Sequence, residues 1–384
     1  MTVVDARSLN RATLARQLLL ERARLPLADA LHRVVALQAQ SPASPYLGLW
    51  NRIDGFDPAD LDAAFTRGEV VKSNVPRMTL HAGLATDHRA FREAMEPTIR
   101  AARLNDDRYR ASGLLPEDAD ALVPDLVAFA ETPRAASDCE AWLAGRLGDR
   151  CHPGAWWALR QYAPWLRHPT GGPWSFGPAV AYVAPPEAPS LGDPDAQDAG
   201  LQALVRRYLE GFGPATVADV AVFAMVQRGR VTKAVQALGD DLDRLDGPHG
   251  SVLLDVPGAP RPPADADAPP RLLGMWDNLL LAHHDRSRVL PEEHRTVVIR
   301  RNGDVLPTLL VHGRVAGAWR TSEGRIEALP FEPIPSAAWT GLEVEAHALL
   351  DLLADRDHRP FGRHDHWWEK DASTEWRVLA ERSG

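Results

Sequence analysis

Apolar side chains recur at helical spacing near the N-terminus, at Leu9, Leu14, Leu18 and Leu19 and again at Leu27, Ala30, Leu31, Val34 and Val35. The first run predicts a helix capped by Ser8. The second predicts a helix that starts after Pro26 and ends at Ser41-Pro42, because a residue before proline is pushed out of the helical region. A shorter helix is expected over 58–65, followed by two extended runs at 69–72 and 77–81.

That order, three helices and then a two-stranded ribbon, is the order of a winged helix, and the chain repeats it. Helical patterns over 116–130, 137–147 and 154–162 lead into extended pieces near 165–168 and 180–183, and helices over 201–210, 216–223 and 231–238 lead into 242–245 and 251–256. Breaker-rich stretches at 185–194 and 257–270 separate blocks. The fourth block changes character. Extended runs at 297–301, 306–311 and 315–320 are punctuated by Asn302-Gly303 and Gly313-Arg314, hairpin-type turns that predict a small β-barrel, with a helix over 337–354 behind it. The resulting expectation is an α+β chain. Its units are winged helix 1 (1–110), winged helix 2 (111–190), winged helix 3 (191–265) and a C-terminal β-barrel domain with a terminal helix (266–384).

Composition narrows the class. At 384 residues the chain exceeds one compact core, and 45% hydrophobic with 25% charged residues describes a globular protein. Cys139 and Cys151 are the two cysteines, which excludes a disulfide-dense scaffold and any Cys-only zinc site. No basic-then-apolar leader and no long apolar window occur, so neither signal peptide nor membrane span is expected, and a bacterial cytoplasm fits. The formal charge of −9 argues on its face against nucleic acid. The distribution changes that. Residues 1–110 sum to +3, residues 111–200 to −7 and residues 201–384 to −5. Lysine is scarce, with Lys72, Lys233 and Lys370 against 40 arginines; codon bias explains such a ratio, although arginine is also the better phosphate fork.

The most unusual local feature is LQAQSP. Gln38 stands one helical turn beyond Val34 on the Leu27–Leu31–Val34 stripe, so its amide should point inward, where an unpaired polar group costs roughly 1–3 kcal/mol. One reading is an amide that ties a helix end to the next loop. The other is that Gln38 and Gln40 line a cleft.

LQAQSP is followed in order by the run from Arg77 to His81, by GPAT at 213–216 after RRYLEGF, by DNLLLAHHDRSRVLP at 277–291 and by LLVHGRVAGAWR at 309–320. Together these resemble the AlkZ/YcaQ family of bacterial winged-helix DNA glycosylases, over nearly the whole chain. The resemblance implies a C-shaped protein of three tandem winged helices and a C-terminal β-barrel. It implies hydrolysis of the N-glycosidic bond of N7-alkylguanine, with Gln38 and Gln40 as catalytic residues. Gln stands where the YcaQ-like branch carries Asp, so the sequence is similar to the AlkZ-like branch, which accompanies biosynthesis of DNA-alkylating natural products and unhooks interstrand crosslinks. The expected partner is double-stranded DNA carrying N7-alkylguanine, bound by a monomer that uses no cofactor and no metal.

An amide has no titratable group near neutrality. It can orient water or stabilise positive charge on the sugar, but it cannot act as a general base. That suits a cationic, ready-made leaving group. Because strand-nicking glycosylases commonly use a lysine amine and only Lys72 lies near the first wing, a monofunctional enzyme is expected. Arg77, Thr79 and His81 alternate along an expected strand, which would turn all three to one side, with Arg77 and His81 facing DNA and Thr79 in support. Asp277, Asn278, Asp285 and Arg286 match the family's segment, where they organise the junction of barrel and winged helices; direct DNA contact by Asp285 and Arg286 and a buried ion-pair and turn network are both open. Five arginines between Arg286 and Arg301 face two acids, Glu292 and Glu293, and make a basic ridge. With Asn302-Gly303 at its tip, Arg300, Arg301 and Asn302 are candidates to reach the duplex, while a solvated hairpin is the bland alternative. Two rivals remain: a non-catalytic winged-helix DNA-binding or regulatory protein, and a metal-dependent hydrolase built on His283, His284 and the His364–His366 cluster.

Overall fold

The computed structural model describes residues 3–369 and 375–382. Helices and antiparallel strands segregate as in an α+β fold. The chain divides into two compact units that interleave along the sequence: the first comprises Met1–Leu61, Arg207–Phe223 and Gly239–Gly384, the second Asp62–Arg206 and Ala224–Leu238.

The first unit begins with the helix Ala6–Arg16, capped by Asp5, whose carboxylate accepts from the Ser8 N–H at 2.7 Å. The expected cap, Ser8, is one turn inside. The helix Leu27–Val34 buries Ala30, Leu31 and Val34. It stops earlier than its apolar stripe predicted, because Val35 takes a left-handed conformation (φ 72°) and the next residues, Ala36–Gln38, run extended and fully buried. Gln38 therefore lies on a strand, not at a helix end.

Downstream, five strands pair antiparallel in the linear order Arg377–Glu381, Arg325–Pro330, Arg314–Ser322, Thr308–Val311, Arg271–Leu273. The two outer strands are not paired with each other, so among the described residues the expected β-barrel is an open sheet. Fully buried Trp319 anchors it, its indole N–H donating to the Leu273 carbonyl at 2.8 Å. The helix Ser336–Ala354 packs on the sheet through Leu342, Ala346, Leu349 and Leu353 and delivers Glu345 to Arg22 and Arg271. A second correction concerns 297–301. Val297 and Val298 lie in a short helix, Arg295–Val298, because β-branched residues in so short a run do not decide between strand and turn. The turn itself is where Asn302-Gly303 placed it: the Gly303 N–H donates to the Arg300 carbonyl, with Gly303 at φ 88°.

In the second unit, proline at the first helical position starts both Pro116–Phe129 and Pro153–Tyr162. Between them runs Ala136–Leu147. Gly154 has no substitute, since a Cβ there would stand 1.8 Å from the Arg108 carbonyl oxygen. Five strands pair antiparallel in the order His81–Leu84, Val70–Ser73, Leu166–His168, Ala181–Val183, Arg134–Ala135. The core holds a buried polar chain, in which Arg92 pairs with Glu96 and Glu96 accepts the Tyr162 hydroxyl at 2.7 Å.

Candidate active site

Gln38 is 6% exposed, and its carbonyl oxygen Oε1 accepts no hydrogen bond. Gln40, two residues on, is exposed. The burial follows from local sequence: Ala36, Leu37 and Ala39 are apolar and packed, and Gly48 lets Leu37 approach to about 3.1 Å of where a Cβ would stand. Behind Gln38 lies a cavity of about 10 Å³ walled by Leu37, Gln38, Ser44 and Gly48 on one side and Gly274, Met275, Trp276, Asp277 and Asn278 on the other.

Two neighbours in that wall behave differently. Asp277 is gripped bidentately by the buried guanidinium of Arg52, at 2.8 Å on each oxygen, and also accepts the Leu279 N–H at 3.0 Å. Arg52 in turn donates to the Gly48 carbonyl at 2.9 Å. The carboxylate is saturated and locked, so the one acid in the wall is not placed to act as a base. Asn278, with no exposed surface, donates from Nδ2 to the Ala36 carbonyl at 2.7 Å, holding the strand that carries Gln38, while its Oδ1 has no partner. The wall around Gln38 thus holds no uncompensated charge and presents amide dipoles.

The other expected site residues are distributed over both units. Arg77 and Met78 both adopt positive φ (70° and 56°), so the run through Thr79 is not a strand, and the three-residue alternation with His81 does not form. His81 opens the strand His81–Leu84 at 1% exposure, its Nδ1 2.9 Å from the Thr79 carbonyl oxygen. Arg77 and Thr79 are half-buried. In the segment after Asn278, His283 is buried, its Nε2–H donating to the Phe212 carbonyl at 3.0 Å, and burial reinforced by Arg288 pushes its pKa down to about 3. Asp285 is exposed and caps the Ser287 N–H at 2.9 Å; Arg286 is half-buried. Arg301 and Asn302 are exposed, whereas Arg300 lies over the Trp367 ring at 5.0 Å and Asn302 bonds Asp304 at 2.9 Å. Among the described residues, no three His, Cys, Asp or Glu side chains gather as metal ligands would. Lys72 is 5% exposed with its ammonium 4.4 Å from the Phe176 ring centroid. Burial, and then Arg167, lower its pKa to about 7. Lys370 lies outside the described residues. Ser44, in the same wall, was not marked by any sequence pattern.

A family model described as "DNA glycosylase AlkZ-like" matches residues 31–352. The chain belongs to that family. It is a DNA glycosylase, a hydrolase of N-glycosyl bonds, in a family of DNA-repair enzymes. It is 23% identical over 352 residues, 86% of this chain and 92% of the relative, to an "Interstrand DNA cross-link repair glycosylase" of Streptomyces sahachiroi. The solved structure of the Streptomyces sahachiroi DNA glycosylase AlkZ superposes with a TM-score of 0.77 at 20% identity, over 93% of this chain and 99% of that one, which shows a shared fold. Family membership displaces both the regulatory-protein and the metal-hydrolase readings. Among the described residues, no helix is long and apolar enough to cross a membrane.

Proposed function

We propose that this glycosylase hydrolyses the N-glycosidic bond of N7-alkylguanine in duplex DNA, bulky adducts and interstrand crosslinks included, and leaves an abasic site. The reading rests above all on one observation: Gln38 sets a buried, neutral amide two residues before exposed Gln40, in a wall whose carboxylate, Asp277, is held by Arg52. N7-alkylation makes the base cationic. When its bond to the sugar breaks, the electron pair neutralises the base, so no proton donor is needed. Positive charge develops on the sugar ring, where preorganised amide oxygens stabilise it without reorganisation. Water adds to the anomeric carbon and releases its proton to solvent. In this scheme Gln38 supplies a fixed dipole and exposed Gln40 the contact to sugar or attacking water. An unmodified purine, lacking the charge, stays bound.

The same reading makes the enzyme monofunctional. Lys72 is partly unprotonated near neutrality but buried against Phe176, out of reach of an aldehyde. The recurring order of helices closing in paired strands supports three winged helices over 1–110, 111–190 and 191–265, with the open sheet and its helix over 266–384 following them in the chain. Exposed Arg301 and Asn302 at their turn are proposed phosphate contacts, which position a duplex without reading its sequence. Duplexes carrying one N7-methylguanine, incubated and then treated with alkali, test the proposal. Breaks at the modified site after alkali, none before it and no borohydride-trapped adduct are expected. Cleavage without alkali would overturn the monofunctional assignment.

A further inference from the structure

The cavity behind Gln38 is lined by side chains whose polar atoms find no partner among the described residues. Gln38, Asn278 and Ser44 all line it, each is no more than 6% exposed, and Gln38 Oε1, Asn278 Oδ1 and Ser44 Oγ have no hydrogen-bond partner among the described residues. Three such groups left bare would cost several kcal/mol together, since each buried unsatisfied group costs roughly 1–3 kcal/mol. Buried polar groups of this kind are as a rule satisfied by ordered water.

Size and charge select the occupant. The volume of about 10 Å³ is close to the roughly 10–15 Å³ that one water requires, and far below that of a base or sugar. An anion is refused by two carbonyl oxygens. Two carbonyl oxygens and one hydroxyl are too few ligands to replace a cation's hydration shell of about six oxygens, and both oxygens of Asp277 are engaged by Arg52. Water matches the donor and acceptor pattern completely. Its two protons donate to Gln38 Oε1 and Asn278 Oδ1, and its oxygen accepts the Ser44 hydroxyl proton.

We infer that one buried water bridges Gln38, Asn278 and Ser44, and that Ser44 and Asn278 are positioning residues for the Gln38 amide. Asn278 then grips the strand Ala36–Gln38 twice, directly at the Ala36 carbonyl and through the water at the Gln38 side chain. Ser44, at the start of the helix Ser44–Trp50, fixes the third corner from a rigid element. The water serves the amide rather than the sugar: it fixes the direction of the Gln38 dipole, on which charge stabilisation depends. The inference deepens the catalytic reading of Gln38 and rests on it.

The test combines Ser44→Ala, Ser44→Thr and Gln38→Ala in single-turnover excision of N7-methylguanine, with DNA affinity and melting midpoint measured for each, and a high-resolution crystal structure. Removing the serine hydroxyl takes away the water's donor, and a neutral hydrogen bond of this kind corresponds to about a tenfold change in rate. Ser44→Ala is expected to slow excision about tenfold with affinity and midpoint unchanged, Ser44→Thr to retain the rate, and the crystal to show one water within hydrogen-bond distance of all three atoms. An unchanged rate in Ser44→Ala while Gln38→Ala is inactive overturns the positioning role and leaves Gln38 catalytic. Full activity in Gln38→Ala overturns the catalytic reading and the positioning role with it. A cavity without water in the crystal overturns the inference whatever the rates.

Discussion

Asp277 and Asn278 are neighbours in sequence, face one cavity and could hardly be more different in state. Asp277 is locked by Arg52 and the Leu279 N–H, all of it buried. Asn278 is anchored at one end to the Ala36 carbonyl and presents its other end to the space shared with Gln38 and Ser44. The first holds two segments more than two hundred residues apart; the second holds the strand of Gln38 and keeps the wall beside it neutral. Charge in this unit is spent on architecture, and uncharged dipoles are kept for the site. On the proposed mechanism, a free carboxylate would offer a base where the leaving group needs none.

The contrast can be broken most severely at Asp277. Replacing it with Ala strands a buried Arg52 charge, and breaking a buried pair in this way costs about 3–5 kcal/mol; urea unfolding should show a loss of that size. A change below 1 kcal/mol would mean the pair is not structural. The second unit sharpens the comparison, since Lys72 is buried beside Arg167 with no carboxylate and its pKa falls to about 7. Between about pH 7 and the unfolded value of 10.5, the unfolded chain binds a proton that the folded chain lacks. Stability should therefore rise with pH across that window, by at most about 1.4 kcal/mol per pH unit. Lys72→Met should flatten the rise in unfolding curves collected from pH 6 to 10. On the neutral side, Gln38→Leu replaces an amide with a side chain of similar volume. Its stability should stay within about 1 kcal/mol of the parent while excision is lost; a large loss of stability would place Gln38 with Asp277 among the structural residues. The smallest effect is expected at Arg301, where Ala should weaken DNA binding a few-fold for every sequence and lower the salt slope by about one, read in binding isotherms at several salt concentrations.

Much of this was legible in the sequence, for identifiable reasons. Helices with a full 3.6-residue stripe and a proline start, such as Pro116–Phe129 and Pro153–Tyr162, fell where the pattern put them. Gln38 is buried as expected, but not for the expected reason: the helix carrying the Leu27–Leu31–Val34 stripe ends at Val34, and Gln38 is buried on the strand Ala36–Gln38. Val35 to Gln38 is a continuous buried run, which periodicity cannot assign, and the left-handed Val35 that ends the helix has no glycine to announce it. The same failure occurred at Arg77 and Met78, both left-handed without glycine. Ser44 carried no local signal. The role inferred for it depends on Asn278, more than two hundred residues away, and on the small cavity that they share with Gly48 and Gly274.

The central claim is that a pair of uncharged amides, Gln38 and Gln40, suffices to release a base that is already cationic. It is tested most directly by single-turnover excision from a duplex with one N7-methylguanine, read as alkali-induced strand breaks, for the parent enzyme, Gln38→Ala and Gln40→Ala. A loss of about 10²- to 10³-fold in each variant, with DNA still bound and unmodified guanine untouched throughout, is the predicted result. Parent-like excision by both variants would contradict it.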